Sequence, residues 1–202
     1  REVVDLRTNF QIRTYGLSIK KYPACYAVHR VVDGILDLRQ RHEIDHGDVK
    51  KIVVTIGDAQ ASMLRNHRPD TALEAKFSVE FAVSAALVHG KLGLGVFCND
   101  VVLQPEVRRL YDLIEIETRN DPCPIEPVFA KYDRIQLELN DGRYFDSGDI
   151  RFARGNALLP VNNADLEQKF YDCTAGLADA HVLLKYLQTL EKQRHSPFVG
   201  IA

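Results

Sequence analysis

The segment from Ala72 to Val88 constrains the fold more than any other stretch. Leu73, Phe77, Phe81, Val83, Ala85, Ala86, Leu87 and Val88 leave it few polar positions, and a helix that is apolar nearly all round has to be covered on most of its surface. Thr71 and Glu74 stand three apart as a capping box, and Gly90 supplies a left-handed stop. The pattern predicts one central, buried helix around which the rest of the chain builds. Lys76, Glu80 and Ser84, spaced by four, would form a single polar stripe on it. A lysine so placed pairs with Glu80, snorkels to water, or lets its pKa fall and serves as a base.

At 202 residues the chain fits one domain or a domain with a small appendage. Its 46% apolar and 27% charged residues are those of a globular domain and exclude disorder or a fibrous repeat. With a formal net charge of −2 and Lys and Arg scattered among acids, nucleic acid is not an expected partner. No apolar run approaches the roughly 20 residues needed to cross a bilayer, so the expectation is a soluble, cytoplasmic protein with no membrane partner. Cys25, Cys98, Cys123 and Cys173 include no C-x-x-C pair, which argues for reduced thiols over a zinc ribbon or a disulfide framework.

Other segments are legible by period. Leu17, Ile19 and Tyr22 fit a short extended piece. From Ala24 to His42, Val28, Val31, Ile35 and Leu38 recur at three- and four-residue steps and predict an amphipathic helix. Lys51 to Ile56 alternates as a strand, as does Leu113 to Thr118, and Pro105 opens a short helix between them. Asn140-Asp141-Gly142, between Arg134–Leu139 and Arg143–Phe145, is a hairpin signal. Two last helices follow Asn163 and Asp179 as caps, the second carrying Leu183, Leu184, Leu187 and Leu190. Strands and helices mix without a regular βαβ alternation, which predicts an α+β domain of two layers, a small mixed or antiparallel sheet packed by helices.

Cys25, His29 and Asp33, spaced by four, look like a nucleophile, a base and an acid. They would stack along one helix face, about 6 Å per step, whereas a working triad converges from separate elements. His29 stands near a helix start beside Lys20, Lys21 and Tyr22, and that density of cations attracts carboxylates; the plainer alternative is a core histidine bonded to a carbonyl, with solvated lysines. His42 and His46 have a metal-site spacing but flank a polar turn without a third ligand. Gly93-Leu94-Gly95 lacks the third glycine of a dinucleotide loop.

Gly16-Leu17-Ser18-Ile19-Lys20-Lys21-Tyr22-Pro23-Ala24-Cys25, followed by His29, Asp33 and Leu36, resembles the K-x-Y-P-x-C segment and following helix of the MmgE/PrpD family. Leu73-Glu74-Ala75-Lys76-Phe77-Ser78 is similar to its E-A-K-F-S helix, Asp141-Gly142-Arg143 to its hairpin, and Arg154-Gly155 through Pro160 with Leu166 to Phe170 to its closing segments. The order matches over most of the chain. The resemblance implies a carboxy-terminal domain spanning 1–202, with 1–16 connecting it to an all-helical amino-terminal domain of the same protein. It also implies a pocket between the two domains, a homodimer, and chemistry that uses neither metal nor organic cofactor.

That family handles charge beside a carboxylate while clamping two or three carboxylates, in dehydration, decarboxylation or epimerisation. The implied function is a lyase or isomerase of small polycarboxylates, most similar to 2-methylcitrate dehydratase. The alternative is a non-catalytic carboxylate-binding or interaction module when the domain is isolated. His29, Lys21 and Lys76 are then the catalytic candidates, and Lys20, Lys21, Tyr22 and Cys25 the substrate-binding ones. Cys25 replaces a histidine of the decarboxylase branch, and Ala61 falls near a position that is tyrosine there, which points away from decarboxylation.

Overall fold

The computed structural model describes residues 10, 12–13 and 16–192. The strand marked by the alternation of Lys51 to Ile56 extends outward on both sides, with a register break between Val49 and Lys51, so that β1 runs from Val49 to Gly57 with Ile52, Val54 and Ile56 fully buried. It is an inner strand of a four-stranded sheet ordered β2-β1-β3-β4, where β2 is Ile114–Arg119, β3 Arg134–Leu139 and β4 Tyr144–Asp146. β3 and β4 form the expected hairpin, with Gly142 at φ 87° in its turn. β1 and β2 are parallel, Ile52 facing Ile114 and Val54 facing Ile116. A parallel pair needs a long crossover, and residues 58–113 provide it.

The first helix is entered through a 3-10 turn at Tyr26–Val28 and continues as α1, His29–His42. The expected stripe is buried: Val28, Val31, Ile35 and Leu38 are at most 1% exposed. α1 packs on β3 and on the apolar helix of the crossover. Gly34 permits the close approach to the sheet side, because a Cβ there would stand 2.8 Å from Ile135 Cγ2 and 2.5 Å from Ile150 Cδ1. Arg39 in the last turn donates to the Leu87 carbonyl at 2.7 Å, so it ties α1 to that helix as well as suiting its own dipole.

The central helix departs from expectation. The crossover holds α2 (Asp58–Met63), α3 (Ala72–Ala75), α4 (Val79–His89), α5 (Asn99–Val102) and α6 (Pro105–Tyr111), so the segment 72–88 is two helices instead of one. The capping box opens α3, with Thr71 Oγ1 accepting from Glu74 N at 3.3 Å and Glu74 Oε2 accepting from Thr71 N at 3.1 Å. Ser78 then restarts the chain as a second cap, its Oγ accepting from Phe81 N at 3.0 Å. A serine in a helix interior competes for backbone groups; here it wins. α4 is buried from Val79 to Leu87 and ends at Gly90, φ 67°. Lys76 therefore caps α3, half-buried, and the stripe Lys76–Glu80–Ser84 does not exist.

By contact density the chain divides into residues 1–161 and 162–202. The second unit holds α7 (Asn163–Cys173) and α8 (Ala180–Gln188), which pack on each other. Asn162, one residue before the expected cap, accepts from Asp165 N at 2.8 Å. Asp179 precedes α8 but makes no capping hydrogen bond, and Leu187 and Leu190 are exposed. A mixed sheet with helices gathered outside any βαβ repeat makes the fold α+β. Among the described residues no helix is long and apolar enough to cross a membrane.

Candidate functional site

The residues singled out from sequence converge on the segment that leads into α1. Three bonds hold it. Ile19 N donates to Gly155 O at 2.7 Å, Cys25 N donates to Lys76 O at 2.8 Å, and the Tyr22 hydroxyl donates to Asp33 Oδ1 at 2.6 Å. Gly155 lies at φ 95°, and a Cβ on it would sit 2.0 Å from the Ile19 carbonyl oxygen, so this approach is open to glycine alone.

Tyr22 is buried beneath a cationic step. Lys20 is exposed, and Lys21 is half-buried with Nζ 5.8 Å from the Tyr22 ring centroid, inside cation–π range. Beyond Tyr22, Asp33 Oδ2 accepts from the backbone N–H of Arg154 at 2.7 Å, and the Arg154 guanidinium reaches Asp33 at 3.5 Å and Asp37 at 2.6 Å. Burial pushes the Asp33 carboxyl above its ordinary range, against the hydrogen bonds from Tyr22 and Arg154. Burial and the neighbouring Asp33 push the Tyr22 phenol well up, so Tyr22 is a fixed donor that keeps its proton.

His29 is 0% exposed, enclosed between the rings of Tyr22 and Tyr26 at centroid distances of 5.1 and 5.0 Å. Asp33 engages Tyr22 and Arg154, so Cys25, His29 and Asp33 do not form the series their spacing imitates. Cys25 is half-buried just ahead of the 3-10 turn. Lys76 joins the group through its carbonyl bond to Cys25, while Glu80, once its expected partner, bonds His67 Nδ1 at 2.7 Å and Ser78 at 3.3 Å. The six candidates thus share one neighbourhood in which the backbone, more than the side chains, makes the joins. His42 stacks on Phe145 at 4.4 Å.

Sequence reading missed a buried polar chain beside this segment. Gln60 donates to Asp133 Oδ2 at 2.8 Å and accepts from the N–H groups of Gly57 and Ala130 at 3.0 Å each. Arg30 lies 3.6 Å from Asp133, donates to the Ala130 carbonyl at 2.7 Å and pairs with Glu126 at 3.0 Å. Glu126 accepts from Asn156 Nδ2 at 3.0 Å, and the same nitrogen reaches the Tyr26 hydroxyl at 3.4 Å. Burial raises Asp133 to about 7 against the pull of Arg30. These residues lie 96 to 130 apart in pairs such as Arg30–Glu126 and Tyr26–Asn156, beyond any periodicity; the one signal was the motif at Arg154-Gly155, which adjoins Asn156.

A cleft of about 100 Å³ lies against Asp33, Asp37, Arg41, Arg154 and Phe152. Its two acids and two guanidiniums balance, it is smaller than the roughly 300 Å³ at which ligand pockets begin, and Lys20 and Lys21 do not line it.

Comparison with known proteins finds a family match that begins at Tyr22, just after Lys20 and Lys21. The family model described as the MmgE/PrpD C-terminal domain matches residues 22–192. Cis-aconitate decarboxylase of Mus musculus is 28% identical over 162 residues, covering 76% of this chain and 32% of that protein. The chain therefore spans about a third of the length of this curated relative. With the match running from the anchored Tyr22 through the hairpin and the Arg154-Gly155 staple to the last described helix, the chain belongs to the MmgE/PrpD C-terminal domain family.

Proposed function

We propose that this chain supplies the cationic wall of a pocket in a lyase or isomerase of small polycarboxylates, with 2-methylcitrate-dehydratase-like water loss as the leading reaction. The observation that carries it is the step Lys20-Lys21, held in place because Tyr22 is bonded at 2.6 Å to buried Asp33. Two adjacent ammonium groups on an anchored segment can bind two carboxylates, and they stabilise the charge that develops when a proton leaves the carbon beside one of them. His29, with Lys76 as the other candidate, is assigned the acid–base role. Tyr22 and Cys25 complete the substrate-facing segment. The remaining wall is assigned to a helical amino-terminal domain of the same protein, in a homodimer, without a cofactor.

Cys25 in place of histidine favours dehydration or epimerisation over decarboxylation, although the murine relative bears the name of a decarboxylase. In the full-length protein, Lys21→Ala should lower turnover of a polycarboxylate by about tenfold or more, the scale of one charged contact to a transition state. His29→Gln should move the pH profile of kcat. A His29 variant that changes Tm alone makes that residue structural, and unchanged kinetics across Lys20, Lys21 and His29 remove the assignment.

The second reading is a carboxylate-binding or interaction module, without turnover of its own when isolated from the helical domain. Activity that appears only when the chain is mixed with a separately expressed helical domain decides for a shared active site.

A further inference from the structure

The polar chain beside the lysine segment ends on Tyr26, and the direction of that last hydrogen bond has a chemical consequence. It can be read from its most constrained member. Asn156 is 5% exposed, and its Oδ1 accepts from the Leu158 backbone N–H at 2.9 Å. That bond fixes which end of the amide is oxygen, so Nδ2 is the end that faces both Glu126 Oε1, at 3.0 Å, and the Tyr26 hydroxyl, at 3.4 Å.

A carboxylate only accepts, and Glu126 pairs with Arg30, 3% exposed, at 3.0 Å. Arg30 is in turn fixed by the Ala130 carbonyl and by Asp133. Glu126 therefore accepts from Arg30 on one side and from Asn156 on the other, and the second N–H of Asn156 Nδ2 donates to Tyr26. A phenol whose oxygen accepts a hydrogen bond has its own proton to spend elsewhere.

Where that proton can go follows from the packing. The Tyr26 ring is clamped between His29 at 5.0 Å and Phe129 at 5.6 Å. Its hydroxyl lies beside Ser18, on the segment that Ile19 ties to Gly155 and that leads directly into Lys20 and Lys21. Tyr26 is only half-buried, and Ser18 stands two residues before Lys20 on the segment that bears the lysines.

Resting on the polycarboxylate reading above, we infer that the Tyr26 hydroxyl is a substrate-binding donor that bonds one carboxylate of the ligand held by Lys20 and Lys21. Asn156, Glu126 and Arg30 are positioning residues that keep it a donor. Burial also raises the Tyr26 phenol, which preserves the proton such a bond requires. The group it favours is one that only accepts, an ionised carboxylate, over an alcohol or an ammonium.

The test is calorimetric titration of the full-length protein with tricarballylate, a tricarboxylate with neither hydroxyl nor double bond to react. Tyr26→Phe should weaken binding by about tenfold with Tm held, since a hydrogen bond to a charged group is lost while the ring packing remains. Asn156→Asp replaces the donor by an acceptor, recruits the Tyr26 proton, and should cost a similar factor; the double variant should lose little more than either alone. Loss in Lys21→Ala with wild-type affinity in Tyr26→Phe overturns the role of Tyr26 and leaves the lysine reading in place. Full affinity in both variants, or no binding of tricarballylate by the wild type, overturns the polycarboxylate reading and this inference with it. Should Asn156→Asp fail to fold, Tyr26→Phe still decides.

Discussion

A single buried carboxylate shows how far the interior departs from what a sequence displays. Asp133 is 0% exposed and burial raises it to about 7, although Arg30 and Gln60 both favour its ionised form. A carboxyl whose folded pKa lies above its unfolded value of 3.8 contributes stability that is whole below that value and is lost as pH climbs toward 7. Asp133→Asn removes this titration. In urea denaturation, the stability of the wild type minus that of the variant should fall between about pH 4 and pH 7, by on the order of a few kcal/mol, and be flat above; a difference constant across that window would refute it. Lys20, Lys21, Tyr22, Cys25 and His29 were legible because they are neighbours in one run whose motif resembles a known family. Tyr26, Asn156, Glu126 and Asp133 were not, because their meaning comes from partners about a hundred residues away. Lys76 was singled out as part of a polar stripe that the structure does not hold, and its carbonyl accepts from Cys25 N.

Among elements, those with a clean period stand where they were expected, because burial of one face is written into spacing. This holds for α1, β1, β2, and the hairpin of β3 and β4. The break between α3 and α4 was hidden because apolar residues continue through it, and Ser78 reads as helix interior until its cap is seen. The parallel pairing of β1 with β2 was also unreadable, since alternation fixes a strand's faces and not its neighbour. Gly34 is the position where element packing is most exposed to test. Alanine is the better helix former by about 1 kcal/mol, yet its methyl would meet Ile135 Cγ2, two bonds from the β3 backbone, at 2.8 Å. Overpacking of this kind costs about 1–3 kcal/mol, so Gly34→Ala should lower the denaturation midpoint. A rise in the midpoint would mean that α1 can move off the sheet at little cost.

For the chain as a whole, the position of the core decides what can stand alone. Every member of the main hydrophobic cluster, from Tyr22 to Leu139, belongs to the unit 1–161, and so do all the candidate site residues and the polar chain behind Tyr26. Within 162–202, Ala180 is the one buried residue among those described, and α7 and α8 run only 11 and 9 residues. Isolated helices shorter than about 12–15 residues are marginal in water. The leucines of α8 at helical spacing say that a face wants cover; they do not say what covers it. A polypeptide ending at Val161 should therefore unfold in one cooperative transition with its near-ultraviolet circular dichroism intact, whereas a peptide of residues 162–202 should show weak helicity that fades gradually on heating. Loss of cooperativity in the longer piece would mean that its buried cluster is insufficient by itself, and a sharp transition in the shorter one would mean that two helices with a single buried alanine suffice.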